Sequence, residues 1–454
     1  MEGIVARILA LPESQVLPLL NEVLAEFSDR HQKIDDTFLE RFEHISKLLR
    51  LDENLCEPRK RLIGSYFVSE YALESAALFN PSIVPHPDQS GVPLNGLRFV
   101  LSLRATGEGH ISSIAFRTGM IYPDGRIEVM KASGYLTEPV QIPNALYERD
   151  LFERKLRELR LTDEFTRCTI ARLDESFTIG DLRRHLREEL KQPCGPEAER
   201  ERRRSAKAIR ILAESNYEVQ FKPKKELSER IIFPSSPTQS NGIEDARFVC
   251  FQNDDGTSLY YATFTAYDGR VVMPQLMETS DFLHFRIITL NGPAAQNKGM
   301  ALFPRKINGL YAMLSRQDNE NLYLVYSENV HFWYDPIVIL EPAFPWELIQ
   351  IGNCGSPIET EAGWLVLSHG VGPVRQYSIG AFLLDLDDPT KVIGRLKQPL
   401  LRPTEDERNG YVPNVVYTCG ALVHGGNLVV PYAYADHGTR FATVPLDELL
   451  GAMR

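Results

Sequence analysis

Long apolar segments are missing from this 454-residue sequence: no run approaches the ~18–20 consecutive apolar residues that a membrane-spanning helix needs. The first residues, MEGIVARILALPESQV, contain no basic region followed by an apolar core and a cleavage site. We therefore expect a cytoplasmic protein with no membrane partner.

Cysteine is scarce and is never paired in sequence. The six cysteines are scattered without any CxxC pair: Cys56, Cys168, Cys194, Cys250, Cys354 and Cys419. Zinc ribbons and disulfide frameworks both need cysteines at characteristic spacings, so neither is expected. The sequence predicts a protein of a reducing compartment with no metal site.

Positive charge is also in deficit, with 50 Lys and Arg against 61 Asp and Glu and a net charge of −11. Nucleic acids and anionic membranes reward a positive field, so neither is expected as the main partner, although a local basic patch could serve a small anion. The content of 43% hydrophobic and 24% charged residues is that of a soluble globular protein. It excludes a disordered, collagen-like or coiled-coil chain.

Two stretches of the sequence have helical periodicity. Apolar residues recur at three-to-four spacing near the start, as in Phe38, Phe42 and Ile45, and predict an N-terminal helical extension over residues 1–75. Leucines spaced by four among dense charges predict a helical insertion over residues 145–215. Because such apolar stripes need a partner, we expect them to pack outside the main domain or to form a homo-oligomer contact.

The rest of residues 76–454 is made of short strands rich in Val, Tyr, Phe and Thr, broken by Gly, Asp, Asn and Pro. Five segments share a strand that ends in a polar residue: RFVLSLR, YYATFTAYD, YAMLSR, WLVLSHG and LVVPYAYAD. Repeats of roughly 40–60 residues, each several strands long, are typical of a β-propeller, where every blade needs neighbours to bury its faces. The sequence predicts an all-β, five-bladed β-propeller.

The polar residues that end the five repeated strands should converge on the propeller axis. They are Arg104, Tyr267 with Asp268, Arg316, His369 and Asp436. The alternative is that they are ordinary strand-end residues in solvent. Two arginines, a histidine and an acid at matching positions favour a charged ring.

A carboxylate pair beside an arginine stands at the entry to one apolar strand. The segment SNGIEDARFVCF places Glu244, Asp245 and Arg247 there, where charges are costly to desolvate unless they are paired or used. The guanidinium favours the ionised form of Asp245, whereas burial favours a general acid. An Asp–Arg pair that merely caps the strand explains the spacing equally well.

One blade concentrates cations in this acidic chain. The segment NKGMALFPRKINGLYAMLSR carries Lys298, Arg305, Lys306 and Arg316, and such groups donate charge-assisted hydrogen bonds to phosphate. A solvated hairpin would have the same composition. The sequence shows no P-loop, HExxH, GxSxG or Rossmann-type GxGxxG motif.

Several phrases in one order resemble glycoside hydrolase family 130: FNPSIV, LSLR, GIEDAR, LFPRKINGLYAML, GSPIETEAGWLVLSHGV, LLDLDDP and GYVPNVVYTCG. The resemblance runs from about Phe79 to Leu450 without the helical insertion. It implies a five-bladed β-propeller that acts on β-mannosides. Most members are inverting phosphorylases that release mannose 1-phosphate, and a minority are β-1,2-mannosidases.

The resemblance also implies roles for particular residues. Asp245 falls on the catalytic acid of the EDxR motif, which protonates the glycosidic oxygen through a sugar hydroxyl. Asn80, Arg104, Asp436 and Arg247 would bind the mannosyl substrate. The phosphate-binding candidates are Arg316, His369 and Lys306. Inorganic phosphate would be a co-substrate, and no cofactor is expected.

The chain departs from the family phosphorylases at two points. Gln350 stands where many carry a Lys, and VVMPQLMETSDF lacks the usual Arg before its TSxDF phrase. Phosphorolysis of a β-linked manno-oligosaccharide or mannosyl glycoside is the leading hypothesis. Because of these two departures it stands only narrowly ahead of hydrolysis. An inverting hydrolase needs a second carboxylate, for which the candidates are Glu359, Glu361, Glu407 and Asp436. A non-catalytic glycan-binding propeller is the competing class.

Overall fold

The computed structural model describes residues 1–51, 54–142 and 145–453. The chain divides into two compact units. The first contains Met1–Ala72 and Ser133–Tyr135, and the second contains Leu73–Ala132 and Leu136–Arg454. The boundary at Ala72 lies close to the position 75 that periodicity suggests.

The first unit is helical. Its helices are α1 (Glu2–Leu9), α2 (Glu13–Phe27), α3 (Ile34–Leu49) and α4 (Glu57–Ser65). The predicted stripe Phe38, Phe42 and Ile45 is buried in its core. Gly64 lets α4 approach α3 closely, because a Cβ at that position would lie 1.8 Å from the Phe38 carbonyl oxygen.

The helices of the second unit are α5 (Arg149–Glu158), α6 (Glu164–Ala171), α7 (Ile179–Leu190), α8 (Pro196–Glu214) and α9 (Leu446–Ala452). The helices α5 to α8 lie within the stretch that the leucine spacing predicts to be helical, and they share an apolar core of their own. Among the described residues no single helix is long and apolar enough to span a membrane; α1 and the following segment to Arg30 reach that length together, but they are bent by 118° at the break between them.

The strands of the second unit are mostly antiparallel neighbours in chain order. In the N-terminal half they are β1 (Ala77–Pro85), β2 (Leu97–Thr106), β3 (Ser112–Ile121), β4 (Ile127–Val129), β5 (Val140–Gln141), β6 (Leu146–Glu148), β7 (Ser176–Thr178), β8 (Tyr217–Gln220), β9 (Ile231–Ile232), β10 (Ile243–Gln252), β11 (Ser258–Tyr267), β12 (Val272–Thr279) and β13 (His284–Thr289). In the C-terminal half they are β14 (Ala301–Leu302), β15 (Tyr311–Ser315), β16 (Leu322–Ser327), β17 (Ile337–Leu340), β18 (Gln350–Asn353), β19 (Ile358–Thr360), β20 (Gly363–Val371), β21 (Tyr377–Leu384), β22 (Val392–Arg395), β23 (Val416–Tyr417), β24 (Leu422–His424), β25 (Asn427–Tyr434) and β26 (Gly438–Pro445).

Five of the resulting sheets follow one another along the chain. Sheet 1 has the order β1-β2-β3-β4 with β9 on β3, and sheet 2 has the order β10-β11-β12-β13-β8-β5. Sheet 3 is β14-β15-β16-β17, sheet 4 is β18-β20-β21-β22 with β19 on β20, and sheet 5 is β23-β25-β24 with β26 on β25. The separate pair β6-β7 flanks α5 and α6. The protein is therefore predominantly β with added helices.

The five repeated segments of the sequence fall in five different sheets. They are β2, β11, β15, β20 and β25, and each is paired directly with the first strand of its own sheet. Each sheet contacts the next, through β1 and β10, β11 and β14, β15 and β18, and β21 and β23, and the fifth contacts the first through β25 and β1. The repeat thus places the first two strands of all five sheets in equivalent positions.

Candidate active site

Asn80 and Asp245 occupy equivalent β-bulges on the first strands of sheets 1 and 2. The register of β1 shifts between Phe79 and Ser82, and that of β10 shifts between Glu244 and Arg247. Both residues have left-handed backbones, with φ of 48° and 55°. Asn and Asp tolerate this conformation better than most residues, and a bulge redirects the side chain that it carries. The two bulges bring the Asn80 amide within 2.7 Å of the Asp245 carboxylate.

Asp245 is buried among donors and cations. Its Oδ1 accepts a hydrogen bond from Asn80 Nδ2 and lies 3.8 Å from Arg104 Nη1. Burial alone would raise the pKa of Asp245, but Arg104, Arg247 and Lys298 outweigh it and hold this pKa below its usual value. Asp245 is consequently an ionised hydrogen-bond acceptor.

Arg104 and Asn80 keep unused polar atoms beside that carboxylate. Arg104 donates to Glu244 at 2.7 Å and its guanidinium lies 5.0 Å from the centre of the Phe79 ring, yet its Nε has no partner among the described residues. Asn80 Oδ1 is likewise buried without a donor. Buried polar atoms normally find partners, so these atoms suit the hydroxyl groups of a ligand.

Asp436 is the second carboxylate at this place. It follows β25 with φ of 49°, directly after Ala435 with φ of 47°. Burial, together with the negative charges of Asp245 and Glu244, raises the pKa of Asp436 to about 6, although Arg104 and Arg375 act in the other direction. Two carboxyl groups of one site thus have pKa values displaced in opposite directions, which is the usual arrangement when one is to be ionised and the other to hold a proton.

Arg247 is a buried residue that positions other residues of the site. Only 2% of the residue is exposed, and its guanidinium donates to the carbonyl oxygens of Cys354 and Asp245 and to the Tyr417 hydroxyl, each at 2.7 to 2.8 Å. With these donors occupied, direct substrate contact by Arg247 is not supported. It fixes the Asp245 backbone instead.

A second group of polar residues lies next to the first. Arg316 donates through Nε to the Lys298 carbonyl oxygen at 3.0 Å and through Nη1 to His369 Nε2 at 3.0 Å. Lys298 extends its ammonium to within 3.6 Å of Glu244, which also pairs with Arg104. Lys298 therefore adjoins the Asp245 site through Glu244, and Arg316 is bonded to the backbone of Lys298.

His369 is neutral and enclosed. Burial, Arg316 and Arg247 all lower its pKa well below the ordinary value. Because Arg316 can only donate, Nε2 of His369 must be the unprotonated acceptor. The residue is 0% exposed, and its ring packs against Tyr377 and Tyr417. His369 therefore orients Arg316 and, being fully buried, has no surface with which to contact a ligand.

Gln350 occupies the same group. Its amide oxygen is assigned towards Arg316, because the reverse orientation would set two donors against each other, and its nitrogen then donates to the Asn319 carbonyl oxygen at 3.3 Å. The position where many family phosphorylases carry a Lys is thus beside Arg316. Here it adds an acceptor instead of a positive charge.

Glycine at position 352 makes room for this group. A Cβ there would lie 2.5 Å from His369 Cε1 and 3.2 Å from Arg316 Cδ. We expect Gly352→Ala to lower the free energy of unfolding by about 1–3 kcal/mol through overpacking, and to change catalytic rates because Arg316 must move. Urea unfolding and initial rates measure the two effects. Gly451→Ala is the matched control, since no atom lies within 4 Å of its Cβ position on α9.

Other residues singled out in the sequence lie elsewhere. The Lys306 ammonium pairs with Asp254 at 3.1 Å and lies 5.1 Å from the centre of the Tyr311 ring. Asp254 follows β10 at the end opposite Asp245. The seven residue steps of strand from Asp245 to Gln252 span roughly 23 Å. This placement does not support a phosphate role for Lys306.

Asp268 is at the same end of its sheet as Asp245, but it accepts hydrogen bonds from the backbone nitrogens of Arg270 and Val271 in its own turn. Three candidates for a hydrolytic base are also engaged or remote. Glu359 pairs with Arg305, Glu361 is exposed in a turn, and buried Glu407 accepts from Tyr432 and Arg440. Asp436 is the candidate that adjoins Asp245.

Titration of Asp436 gives the site a measurable effect on stability. The pKa is 3.8 for an ordinary Asp and about 6 here, so the folded state binds the proton more tightly. Stability contributed by the proton is present below about pH 4 and is lost as the pH rises through 6. We expect Asp436→Asn to raise the free energy of unfolding by about 2–3 kcal/mol at pH 8 and much less at pH 4. Denaturant curves at both pH values test this, and an equal effect at both would contradict it.

The site also contains Lys298, which the sequence places only in a general cluster of cations, and Tyr417, which the sequence does not single out. Lys298 flanks the base of the β14–β15 hairpin opposite Arg316, and Tyr417 is the tyrosine of the NVVYTCG phrase, on β23 at the start of sheet 5. Hairpin pairing could have identified Lys298, whereas no spacing identifies Tyr417. Among the residues described here, no three His, Cys, Asp or Glu side chains are grouped so as to hold a metal ion.

Comparison with known proteins identifies the family of this chain. Residues 203–454 match the glycoside hydrolase 130 family, described as beta-1,4-mannooligosaccharide phosphorylase. A 1,2-beta-oligomannan phosphorylase of Thermoanaerobacter sp. (strain X514) is 35% identical over 218 residues, which are 46% of this chain and 70% of the relative. A beta-1,2-mannobiose phosphorylase of Listeria innocua is 34% identical over 227 residues, 48% of this chain and 62% of the relative.

Solved structures are similar in fold. A putative glycoside hydrolase from Parabacteroides distasonis has a TM-score of 0.50 at 17% identity, covering 82% of this chain and 87% of its own. The beta-1,2-mannobiose phosphorylase from Listeria innocua in complex with beta-1,2-mannobiose has a TM-score of 0.49 at 22% identity, covering 83% and 92%. At this identity the first comparison concerns the fold alone.

Proposed function

Since the chain belongs to glycoside hydrolase family 130, the beta-1,4-mannooligosaccharide phosphorylase family, we propose that it is an inverting phosphorylase that cleaves β-mannosides and releases mannose 1-phosphate. The observation that carries the proposal is the position of Arg316 and Lys298. The Lys298 ammonium pairs with Glu244, which also pairs with Arg104 beside Asp245, and Arg316 donates to the Lys298 carbonyl oxygen. A nucleophilic anion can be held there while a sugar occupies the neighbouring polar atoms.

We infer that the five sheets are the blades of a β-propeller with residues 76–454 as the catalytic domain. The cyclic order of the sheet contacts supports this inference, because a ring of five blades needs the fifth to contact the first. Residues 1–75 would be a helical extension and residues 145–215 a helical insertion. Circular dichroism and proteolysis of a chain without residues 1–72 test whether the second unit folds alone.

In the proposed reaction, Asn80, Arg104 and Asp436 bind the hydroxyl groups of the mannosyl ring. The unpartnered Asn80 Oδ1 and Arg104 Nε supply one acceptor and one donor for them. Phosphate would be bound by the Nη2 of Arg316, which has no hydrogen-bond partner among the described residues, and by the half-exposed Lys298 ammonium. His369 and Gln350 both accept from Nη1 of Arg316 and so fix the position of its guanidinium.

The proton for the leaving oxygen is the distinctive step. Asp245 is ionised, so it must first take up a proton, for which the neighbouring Asp436 carboxyl is the source. It then passes this proton to a sugar hydroxyl, whose own proton goes to the leaving oxygen. A relay through that hydroxyl fits this state better than direct protonation by Asp245. Asp436, with a pKa of about 6, is the neighbouring carboxyl that carries a proton under mildly acidic conditions.

Hydrolysis is the second candidate, because one position weakens the phosphate site. Gln350 places an amide oxygen, not a positive charge, beside Arg316. Water could then replace phosphate, with Asp436 as the carboxylate that activates it, since inverting hydrolases need a second carboxylate on the opposite face of the sugar. A glycan-binding propeller without catalysis would give neither product.

The test is incubation of β-1,2- and β-1,4-mannobiose with and without inorganic phosphate. We expect mannose 1-phosphate and mannose in equal amounts, formed only when phosphate is present. Mannose alone, at a rate indifferent to phosphate, would establish hydrolysis. No cleavage of either disaccharide would favour the glycan-binding alternative.

A further inference from the structure

Two exposed aromatic rings, those of Tyr411 and His110, lie at the edge of the candidate active site near Asp436. The Tyr411 and His110 rings are stacked, with centroids 5.5 Å apart and planes inclined by 23°. Tyr411 is 73% exposed and His110 is exposed as well. One face of the Tyr411 ring is covered by His110, and the other is left to solvent. An exposed aromatic face of this kind has no role in the core.

The loop that carries Tyr411 is fixed beside Asp436. Val412 donates its backbone nitrogen to the Ala435 carbonyl oxygen at 3.1 Å, and Ala435 directly precedes Asp436. Gly410 permits this contact, because a Cβ there would lie 2.5 Å from the same oxygen. The loop is anchored further back by Glu407, which accepts from Tyr432 and Arg440 and is bonded to the Thr404 nitrogen. Tyr411 is therefore held at the edge of the site by a rigid loop.

His110 reaches the same edge from sheet 1. It ends the short loop after β2, six residues beyond Arg104. Its backbone is left-handed, with φ of 58°. The ring contact between His110 and Tyr411 therefore joins the strand of Arg104 to the loop beside Asp436.

A second loop with the same backbone shape lies after β20. Gly372 has φ and ψ of −107° and −162°, close to the −112° and −156° of Gly107, and both loops end in a left-handed residue, Arg375 and His110. Val374 is left-handed although it is β-branched, which is a strained conformation that functional sites retain. The positive charge of Arg375 lowers the pKa of Asp436 and partly offsets the effect of burial. The loop after β20 therefore brings a positive charge near Asp436, and the loop after β2 brings His110 against Tyr411.

We propose that the Tyr411 ring, braced by His110, is the platform for the sugar that leaves the mannosyl residue during cleavage. This rests on the proposed function only in assuming a β-mannoside ligand. A pyranose ring presents an apolar face of C–H groups that packs on an aromatic face, while its hydroxyl groups remain hydrated. Mannosyl groups bound at Asp436 and Arg104 would leave the next sugar over the exposed face of Tyr411.

Binding of two sugars to an inactive parent separates this platform from the mannosyl site. In the Asp245→Asn background, calorimetry measures the affinities for β-1,2-mannobiose and for mannose. We expect Tyr411→Ala to weaken mannobiose binding roughly tenfold while mannose binding is unchanged, and Tyr411→Phe to retain most of the affinity. His110→Ala should give a smaller loss, because it only braces the ring.

Tyr122→Ala is the matched control. Tyr122 lies beyond the far end of β3 and packs on Arg126, so its loss should leave both affinities unchanged. Unchanged mannobiose affinity in Tyr411→Ala, or a parallel loss for mannose, would overturn the platform. Failure of the proposed function has a different readout, namely wild-type cleavage of mannobiose that ignores phosphate while the platform result stands.

Discussion

Turnover is expected to be lost in Asp245→Asn while the fold is kept. The substitution preserves the volume of the side chain and removes the group that exchanges a proton with the sugar. An asparagine can still accept from Asn80 Nδ2 through its amide oxygen, so the bulge geometry can survive. We expect kcat to fall by several orders of magnitude on β-1,2-mannobiose.

The structure also predicts a moderate cost in stability for this variant. Asp245 is the buried counter-charge of Arg104 and Arg247, and its removal leaves those guanidinium groups with one carboxylate fewer. A loss of about 1–3 kcal/mol is typical when a buried charged partner is removed but the neighbour keeps other hydrogen bonds. Unfolding curves should therefore accompany the kinetics. Activity is to be compared below the transition of the variant.

Asp254→Asn is the matched control, because Asp254 is an exposed carboxylate at the opposite end of sheet 2. It should retain wild-type kcat. Retention of more than about a tenth of wild-type kcat by Asp245→Asn, an effect of only about 1.4 kcal/mol, would assign the acid to another group. Asp436 would then be the first candidate, because its raised pKa already holds a proton near pH 6.

The sequence allows much of this site to be predicted because the repeat marks equivalent strands. Four of the five strand-end positions, Arg104, Arg316, His369 and Asp436, lie at the site or in the group beside it. The fifth does not, since Asp268 uses its carboxylate to cap a turn. A pattern identifies the position of a side chain on a strand, but it cannot reveal whether a nearby backbone nitrogen will bind that side chain first.

The hairpin of sheet 3 shows the second limit. Lys298 and Arg316 flank its base and Lys306 lies towards its tip, so antiparallel pairing brings the first two together and carries the third to the far end. Lys306, which lies between Lys298 and Arg316 in the sequence, is thereby separated from both in the structure. Resemblance to a family cannot replace this geometry, because Lys306 lies in a matching phrase and still contacts Asp254.

Burial is the third property that spacing does not provide. Arg247 and His369 belong to phrases that carry functional residues, yet both are enclosed and act on Asp245 and Arg316. Glu407 is one of four carboxylates that the sequence offers as a base, and in the structure it anchors the loop that bears Tyr411. Each of these assignments depends on long-range contacts, such as the hydrogen bond between Arg247 and Tyr417, 170 residues apart.

The dependence of the rate on phosphate should change most in Arg316→Ala. If phosphate is the nucleophile, the variant loses a charged donor to it, and each such hydrogen bond contributes about 1.5–3 kcal/mol. We expect the phosphate KM to rise roughly 10- to 100-fold with a smaller change in the mannobiose KM. Initial rates over a phosphate titration measure both constants.

Gln350→Lys is the complementary variant, because it places a positive charge next to Arg316 where an amide oxygen now stands. Without an anion the two cations repel each other, so the variant should be less stable in phosphate-free buffer and should regain stability as phosphate is added. If phosphorolysis operates, its phosphate KM should fall below that of the wild type. Opposite shifts of this KM in Arg316→Ala and Gln350→Lys would place the anion at the Arg316 guanidinium.

The same titration separates the remaining possibilities. If water is the nucleophile, phosphate leaves the wild-type rate unchanged or inhibits it by occupying the position between Arg316 and Lys298, and Arg316→Ala relieves that inhibition. If Arg316 binds sugar hydroxyls, Arg316→Ala raises the mannobiose KM at every phosphate concentration and leaves the phosphate KM alone. The second outcome is disfavoured by the geometry, because the Arg316 guanidinium is oriented by the Lys298 carbonyl oxygen and by neutral His369, while the unpartnered sugar-binding atoms belong to Asn80 and Arg104. A wild-type rate indifferent to phosphate, with mannose as the only product, would settle the reaction as hydrolysis.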